Sequence, residues 1–129
     1  MEGKKKYIVL KDLEVYQLAR ELSAMGWEIY DKLDWQDRKT MGDQFIRSTD
    51  SVGANVAEGY GRFHYLDKIR FYYNSRGSLL ESADHWIELL CERKKISKKQ
   101  LTDFKKVATR LHLKLNLLIK GTYQAKQGK

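Results

Sequence analysis

The segment S-V-G-A-N-V-A-E-G-Y-G-R, residues 51–62, mixes two incompatible signals. Three glycines, two alanines and a serine read as loop. Val52, Val56 and Tyr60 recur every four residues, which reads as helix. A helical wheel resolves the conflict. With Asn55 at zero and ~100° per residue, Phe45, Val52, Gly53, Val56, Ala57 and Tyr60 fall between roughly 60° and 200°. Gln44, Ser48, Ser51, Asn55, Glu58 and Arg62 fall between roughly 300° and 20°. The segment is therefore predicted to be helical, with an apolar stripe and a polar stripe. Each mid-helix glycine costs about 1 kcal/mol against alanine, so the small residues must be repaid by close approach of another helix. Gly59 and Gly61 stand where the helix is expected to end, near Arg62–His64.

Helical spacing extends outward on both sides. Val15, Leu18, Leu22, Met25, Ile29 and Leu33 define a first helix. Asp34 or Asp37 is placed to cap the second, whose apolar positions are Phe45, Ile46, Thr49, Val52, Val56, Tyr60 and Phe63. A third helix carries Leu66, Ile69, Tyr73, Leu80, Ala83, Ile87 and Leu90 and ends near Arg93-Lys94-Lys95. Tyr72, Tyr73 and Trp86 share its spacing and read as core. Ser97 and Gln100 form a capping box for a fourth helix with Leu101, Phe104, Ala108, Leu111, Leu115 and Leu118. Gly121 is its expected stop, leaving residues 121–129 as a frayed basic tail. No strand pattern competes. The expected fold is all-α, a single antiparallel up-and-down four-helix bundle with its core over residues 8–120.

The bounds agree. The 129 residues suffice for one domain with its own core. There is no proline to interrupt a helix, and the one cysteine, Cys91, makes no internal disulfide. No apolar run approaches the ~18 residues of a membrane span. The N-terminal M-E-G-K-K-K-Y-I-V-L lacks the longer apolar core of a signal peptide, so a cytoplasmic location is expected.

Charge is segregated. Residues 1–90 hold 13 Lys/Arg against 15 Asp/Glu, a net of −2; residues 91–129 hold 12 against 2, a net of +10. The basic candidates for nucleic-acid contact are Lys98, Lys99, Lys105, Lys106, Arg110, Lys114 and Lys120. On the fourth helix Leu113 and Leu117 point outward among the cations, which marks them as a possible interface.

The combination N-V-A-E-G-x-x-R at 55–62, Q-x-x-R at Gln44 and Arg47, G-S-L-L-E at 77–81 and D-L-E-V-Y-Q-L-A at 12–19 resembles the bacterial four helix bundle protein family. Its founding members are encoded in intervening sequences of large-subunit ribosomal RNA genes, and some members carry a small-subunit ribosomal protein name. The likeness spans residues 8–120, with Gly53 standing where the family often has proline. It implies a left-handed up-and-down bundle that assembles as a homopentamer with a central pore. A more distant resemblance is to the accessory protein of diversity-generating retroelements, a basic pentamer that engages a reverse transcriptase and nucleic acid.

The polar stripe offers Gln44, Arg47, Asn55, Glu58, Arg62 and Glu81 as a structural motif, with Glu58 and Arg62 spaced to pair. Glu81 or Arg47 is placed to join across helices. A Glu beside an Arg has its pKa lowered and makes a poor general acid, so no catalytic residue is assigned. His64, His85 and His112 lack ligand spacing, and no phosphate loop is present, so no metal or cofactor is expected. The function read from the sequence is a non-catalytic oligomeric bundle binding RNA or DNA through its basic fourth helix and ends. The alternative is an assembly subunit whose charge steers an acidic protein partner.

Overall fold

The computed structural model describes residues 7–127. A 3₁₀ turn at Leu10–Asp12 leads into α1, Glu14–Asp31, whose buried face is Val15, Leu18, Ala19, Leu22, Gly26 and Ile29. At the next turn the Asp34 carboxylate accepts the Asp37 N–H at 2.8 Å, satisfying a free first-turn donor. Trp35–Asp37, Arg38–Gly42 and Asp43–Tyr60 then run on without a break as α2. The 51–62 segment is helical as far as Tyr60, with Gly61 as its C-cap, and Gly53 introduces no interruption. Lys68 Nζ donates to the Tyr60 carbonyl at 2.9 Å, so a cation meets the negative end of α2; burial lowers the pKa of this lysine.

Tyr65–Leu80, Glu81–Trp86 and Ile87–Glu92 form the third continuous rod, α3. Its middle piece is a wider π turn. That turn rotates the following residues, so Ile87 is fully buried while Trp86 is only half-buried and donates its Nε1–H to Glu81 at 2.9 Å. The helix closes with Lys95 N–H on the Leu90 carbonyl at 2.8 Å and Lys94 at φ 61°, a left-handed residue that usually is glycine. Ser97 and Gln100 exchange both capping-box bonds, at 2.8 and 3.1 Å, and open the 30-residue α4, Lys98–Gln127.

The four helices pack antiparallel in a ring in chain order, α1 on α2, α2 on α3, α3 on α4 and α4 on α1. No strand occurs among the described residues. Phe45 of α2 and Phe104 of α4 meet across the centre, ring centroids 5.5 Å apart. The tightest contact is between α2 and α3. A Cβ on Gly59 would lie 2.7 Å from Tyr72 Cε1 and 3.0 Å from Phe71 Cβ. Gly53, by contrast, leaves 3.4 Å to Ala19 Cβ, an ordinary contact.

Three expectations are corrected. Phe63 lies beyond the end of α2 and is exposed, because Gly61 has already terminated the helix. Leu66, Tyr73 and Leu80 are exposed rather than core; Tyr72, Ser75, Leu79 and Ser82 take the buried positions. Tyr73 is thus surface where Tyr72 beside it is core. Finally, α4 continues through Gly121 to Gln127 instead of fraying. Thr122 Oγ1 donates back to the Leu118 carbonyl at 2.8 Å, and Tyr123 hydrogen-bonds Tyr73 of α3, so the last turns have partners. Residues 1–6 and 128–129, including the end of the expected basic tail, lie outside the described residues.

The α2–α3 contact yields two predictions. Gly59→Ala should destabilise by up to about 2 kcal/mol, the overpacking cost of ~1–3 kcal/mol less the helix-propensity gain of about 1. Gly53→Ala should be neutral or stabilising in the same urea titration. Burial, aided by Tyr60, pushes the Tyr72 phenol up to about 12 from 10.0. Between those pH values the unfolded chain has released a proton that the folded chain still holds. Stability should therefore fall as pH rises from 10 to 12, by about 2–3 kcal/mol from this group. Tyr72→Phe should make that decline shallower in urea midpoints measured across the window.

Candidate nucleic-acid interface

Seven cations on α4 were expected to face a polyanion, and the fold treats them unequally. Lys99 Nζ sits 2.8 Å from Asp103 Oδ2, one helical turn on. That hydrogen bond raises the lysine pKa and lowers the carboxyl's. Lys105 reaches across to α3, 2.6 Å from Glu88 and 3.5 Å from Asp84. Lys114 and Arg110 both approach Glu14 of α1, at 3.2 and 4.0 Å. Only Lys98, Lys106 and Lys120 of the seven have no ion pair among the described residues. The basic stripe is thus largely neutralised by carboxylates from the acidic part of the chain. Exposed pairs of this kind contribute little to stability, but they lower the field that a phosphate backbone would meet.

Unpaired cations instead gather at one end of the bundle. The α1–α2 and α3–α4 turns meet there, joined by Lys95 Nζ and Asp37 Oδ2 at 3.1 Å. Arg93, Lys94 and Lys98 are exposed there without a carboxylate partner among the described residues. Trp35 is 72 % exposed at the same end, with Lys39 Nζ 4.9 Å from its ring centroid. An exposed aromatic face beside several cations is the equipment for phosphate contact and base stacking. Sequence reading missed this end because the pair Trp35 and Lys39 is far in the chain from Lys94 and the three belong to no motif.

The polar motif does not close into one network. Glu58 and Arg62 pair at 2.6 Å on the surface, and the Arg62 guanidinium lies 4.8 Å from the Phe71 ring centroid. Asn55 Nδ2 donates to its own helix, at the Ser51 carbonyl, 2.9 Å. Glu81 is engaged by Trp86 of its own helix, Gln44 is exposed, and Arg47 lines the groove between α1 and α2. The expected joining of Glu81 or Arg47 across helices is therefore not found, because each is turned towards a different surface. No three His, Cys, Asp or Glu side chains among the described residues gather to hold a metal ion. The enclosed space between α3 and α4, about 100 Å³ beside Arg76, Ala83 and His112, is below the size of ordinary ligand pockets. No helix of the described residues is long and apolar enough to cross a membrane.

Leu113 and Leu117 do point outward, 59 % and 53 % exposed. Leu66 and Leu80, 59 % and 56 % exposed, and Tyr73 are likewise uncovered on neighbouring α3. Spacing alone did not mark the α3 residues, because the buried series repeats every seven residues too, as in Tyr72 and Leu79 or Ala83 and Leu90.

Fold and surface together define a four-helix bundle with a divided basic surface and an uncovered apolar face. The profile of the 23S rRNA-intervening sequence protein family matches residues 11–117, and the chain belongs to that family. Among solved structures it is similar to a protein of unknown function from the S23 ribosomal protein family of Bacteroides thetaiotaomicron VPI-5482. The two superpose with a TM-score of 0.78 at 25% sequence identity, over 85% of this chain and 98% of the other. Comparison with curated proteins finds no match.

Lys94 is the one described non-glycine residue with positive φ. Lys94→Gly should raise stability by about 0.5–1 kcal/mol in urea denaturation by relieving the left-handed backbone.

Proposed function

We propose that this protein is a non-catalytic, cytoplasmic, self-associating bundle that binds nucleic acid electrostatically at the end formed by its α1–α2 and α3–α4 turns. RNA is the expected ligand, because the family takes its description from the 23S rRNA intervening sequence. The observation that carries the reading is that Arg93, Lys94 and Lys98 are exposed at the end of the bundle where Lys39 lies against exposed Trp35, with the two turns tied by Lys95 and Asp37. The strained Lys94 supports it. A cation is kept where glycine would be easier, and backbone strain of this kind tends to sit at functional surfaces. Contacts of this type are made to phosphates, so affinity depends on salt and little on sequence.

A second reading, an assembly subunit that touches no nucleic acid, draws on the exposed apolar face of α3 and α4. The positive charge would then steer an acidic protein partner. Self-association is common to both readings, and the family resemblance implies five copies.

Fluorescence anisotropy with a short single-stranded RNA at several salt concentrations separates them. Four free cations give an expected slope of log affinity against log salt of about −3 per chain, at roughly −0.7 to −0.9 for each neutralised phosphate. Lys94→Glu combined with Lys98→Glu should make the slope shallower by about 2 and weaken binding at every RNA sequence tested. Trp35→Ala should weaken single-stranded binding and leave the slope unchanged. RNA affinity indifferent to the Lys94/Lys98 pair, with assembly intact, would leave only the second reading.

A further inference from the structure

Lys68 of α3 is half-buried, and no carboxylate among the described residues pairs with it. The neighbouring Asp67 is taken by Arg70 at 3.6 Å. Removing an ammonium from water without an opposite charge favours the neutral amine, and burial accordingly lowers the pKa of this lysine. Its Nζ is also fixed in place. It donates to the Tyr60 carbonyl at 2.9 Å and lies 5.4 Å from the Tyr60 ring centroid.

The side chain opens on a recess. At the α2–α3 turn, the end of the bundle away from the proposed RNA surface, Lys68 lines an open space of about 300 Å³. Buried Tyr72 forms its floor, and Leu117, Leu118 and Ala125 of α4 give it apolar walls. Gly121 makes the room. It lines the same recess, and no atom lies within 4 Å of the place its Cβ would occupy. Glycine weakens α4 there, and no contact within the chain uses the missing side chain. A positioned, desolvated amine beside an apolar recess is the setting in which lysine becomes a nucleophile towards carbonyl groups.

We propose that the recess takes small aromatic aldehydes and that Lys68 captures them as a reversible imine. The Nζ lone pair attacks the carbonyl carbon, the carbonyl π pair moves to oxygen, and one amine proton passes to that oxygen. The resulting carbinolamine loses its hydroxyl together with the second amine proton as water while the C=N bond forms. Amine and aldehyde thus give imine and water with no change of oxidation state, and water reverses the step. The α2 carbonyl end decides the charge of the ligand. It disfavours a bound carboxylate or phosphate and favours a protonated imine, which keeps the cation where Lys68 placed it. The apolar walls and the Tyr72 floor select an aromatic body over a sugar. Among the described residues no carboxylate or histidine lines the recess to carry the adduct further, so capture is not turnover. The inference is independent of nucleic-acid contact.

Reductive trapping tests it. Benzaldehyde with cyanoborohydride near neutral pH should benzylate Lys68 ahead of the exposed Lys106 and Lys120, read by peptide mass spectrometry. The rate at Lys68 should reach half its maximum at lower pH in the folded protein than in the urea-unfolded chain, because folding lowers the pKa of its amine. Gly121→Leu places a side chain in the recess and favours the helix, so helical circular dichroism should be retained. It should abolish the benzaldehyde adduct, whereas formaldehyde, too small to need the recess, still methylates Lys68. Benzylation of Lys68 no faster than of Lys106 and Lys120, a pH profile unchanged by folding, or a Gly121→Leu chain that treats the two aldehydes alike would each overturn the proposal. None of these readouts involves RNA, so their failure is distinct from loss of salt-dependent RNA binding.

Discussion

The distance between α2 and α3 is the constraint on which the bundle depends. Gly59 lets the Tyr72 ring lie where a side chain would otherwise stand. Two buried hydroxyl contacts hold the same pair of helices: Thr49 and Ser82 at 2.6 Å, and Ser75 donating to the Val52 carbonyl at 2.8 Å. Small residues make the approach possible, and the hydroxyls make it specific. Sliding α2 along α3 by one turn would strand these groups in the core at a cost of about 1–3 kcal/mol each. Apolar contacts alone would tolerate such a slip far better. The glycines that look like loop in the sequence are therefore the reason the rods pack as they do.

The same packing rearranges the charges. A chain whose net charge is −2 over residues 1–90 and +10 over residues 91–129 would expose a dense basic strip if its parts stayed apart. Folding places Glu14 beside Lys114, Asp84 and Glu88 beside Lys105, and Asp37 beside Lys95. Charge asymmetry along the sequence thus becomes ion pairing between helices. The informative cations are those left over, and their positions are set by where the acidic helices do not reach: the bundle end and the outward edge of α4.

Legibility followed the physics of each feature. Periodicity located all four helices, and local hydrogen-bonding chemistry located the Asp34 cap and the Ser97–Gln100 box, because both depend on neighbours in the chain. The π turn at Glu81–Trp86 was not legible. It arises from fitting Ser82 against Thr49 and Ile87 into the core, contacts made across helices. Leu66, Tyr73 and Leu80 were misplaced for a related reason: an apolar residue on a helix records that something covers it, without recording whether the cover is the same chain. Spacing did not hold that distinction, since buried Tyr72 and Leu79 are also seven apart. The motif of Asn55, Glu58 and Arg62 was read as one helical face, but α2 ends at Tyr60 and Arg62 lies beyond it; its expected partners across the helices were not found either, since side-chain direction depends on the neighbouring rod.

Lys94 and Gly77 share a logic. Each is a local cost with no return inside a single copy: a lysine in a left-handed conformation, and a glycine in a helix with empty space around it. Gly121, inside α4 with nothing near the place of a Cβ, is a third such position. Asp34 and the Ser97–Gln100 box cap α2 and α4, and among the described residues no buried side-chain polar atom lacks a partner. Agreement across levels is what a foldable sequence shows, and departures from it concentrate where function makes demands. Lys94 lies at the turn end with the unpaired cations, and Gly77 on the outward side of α3.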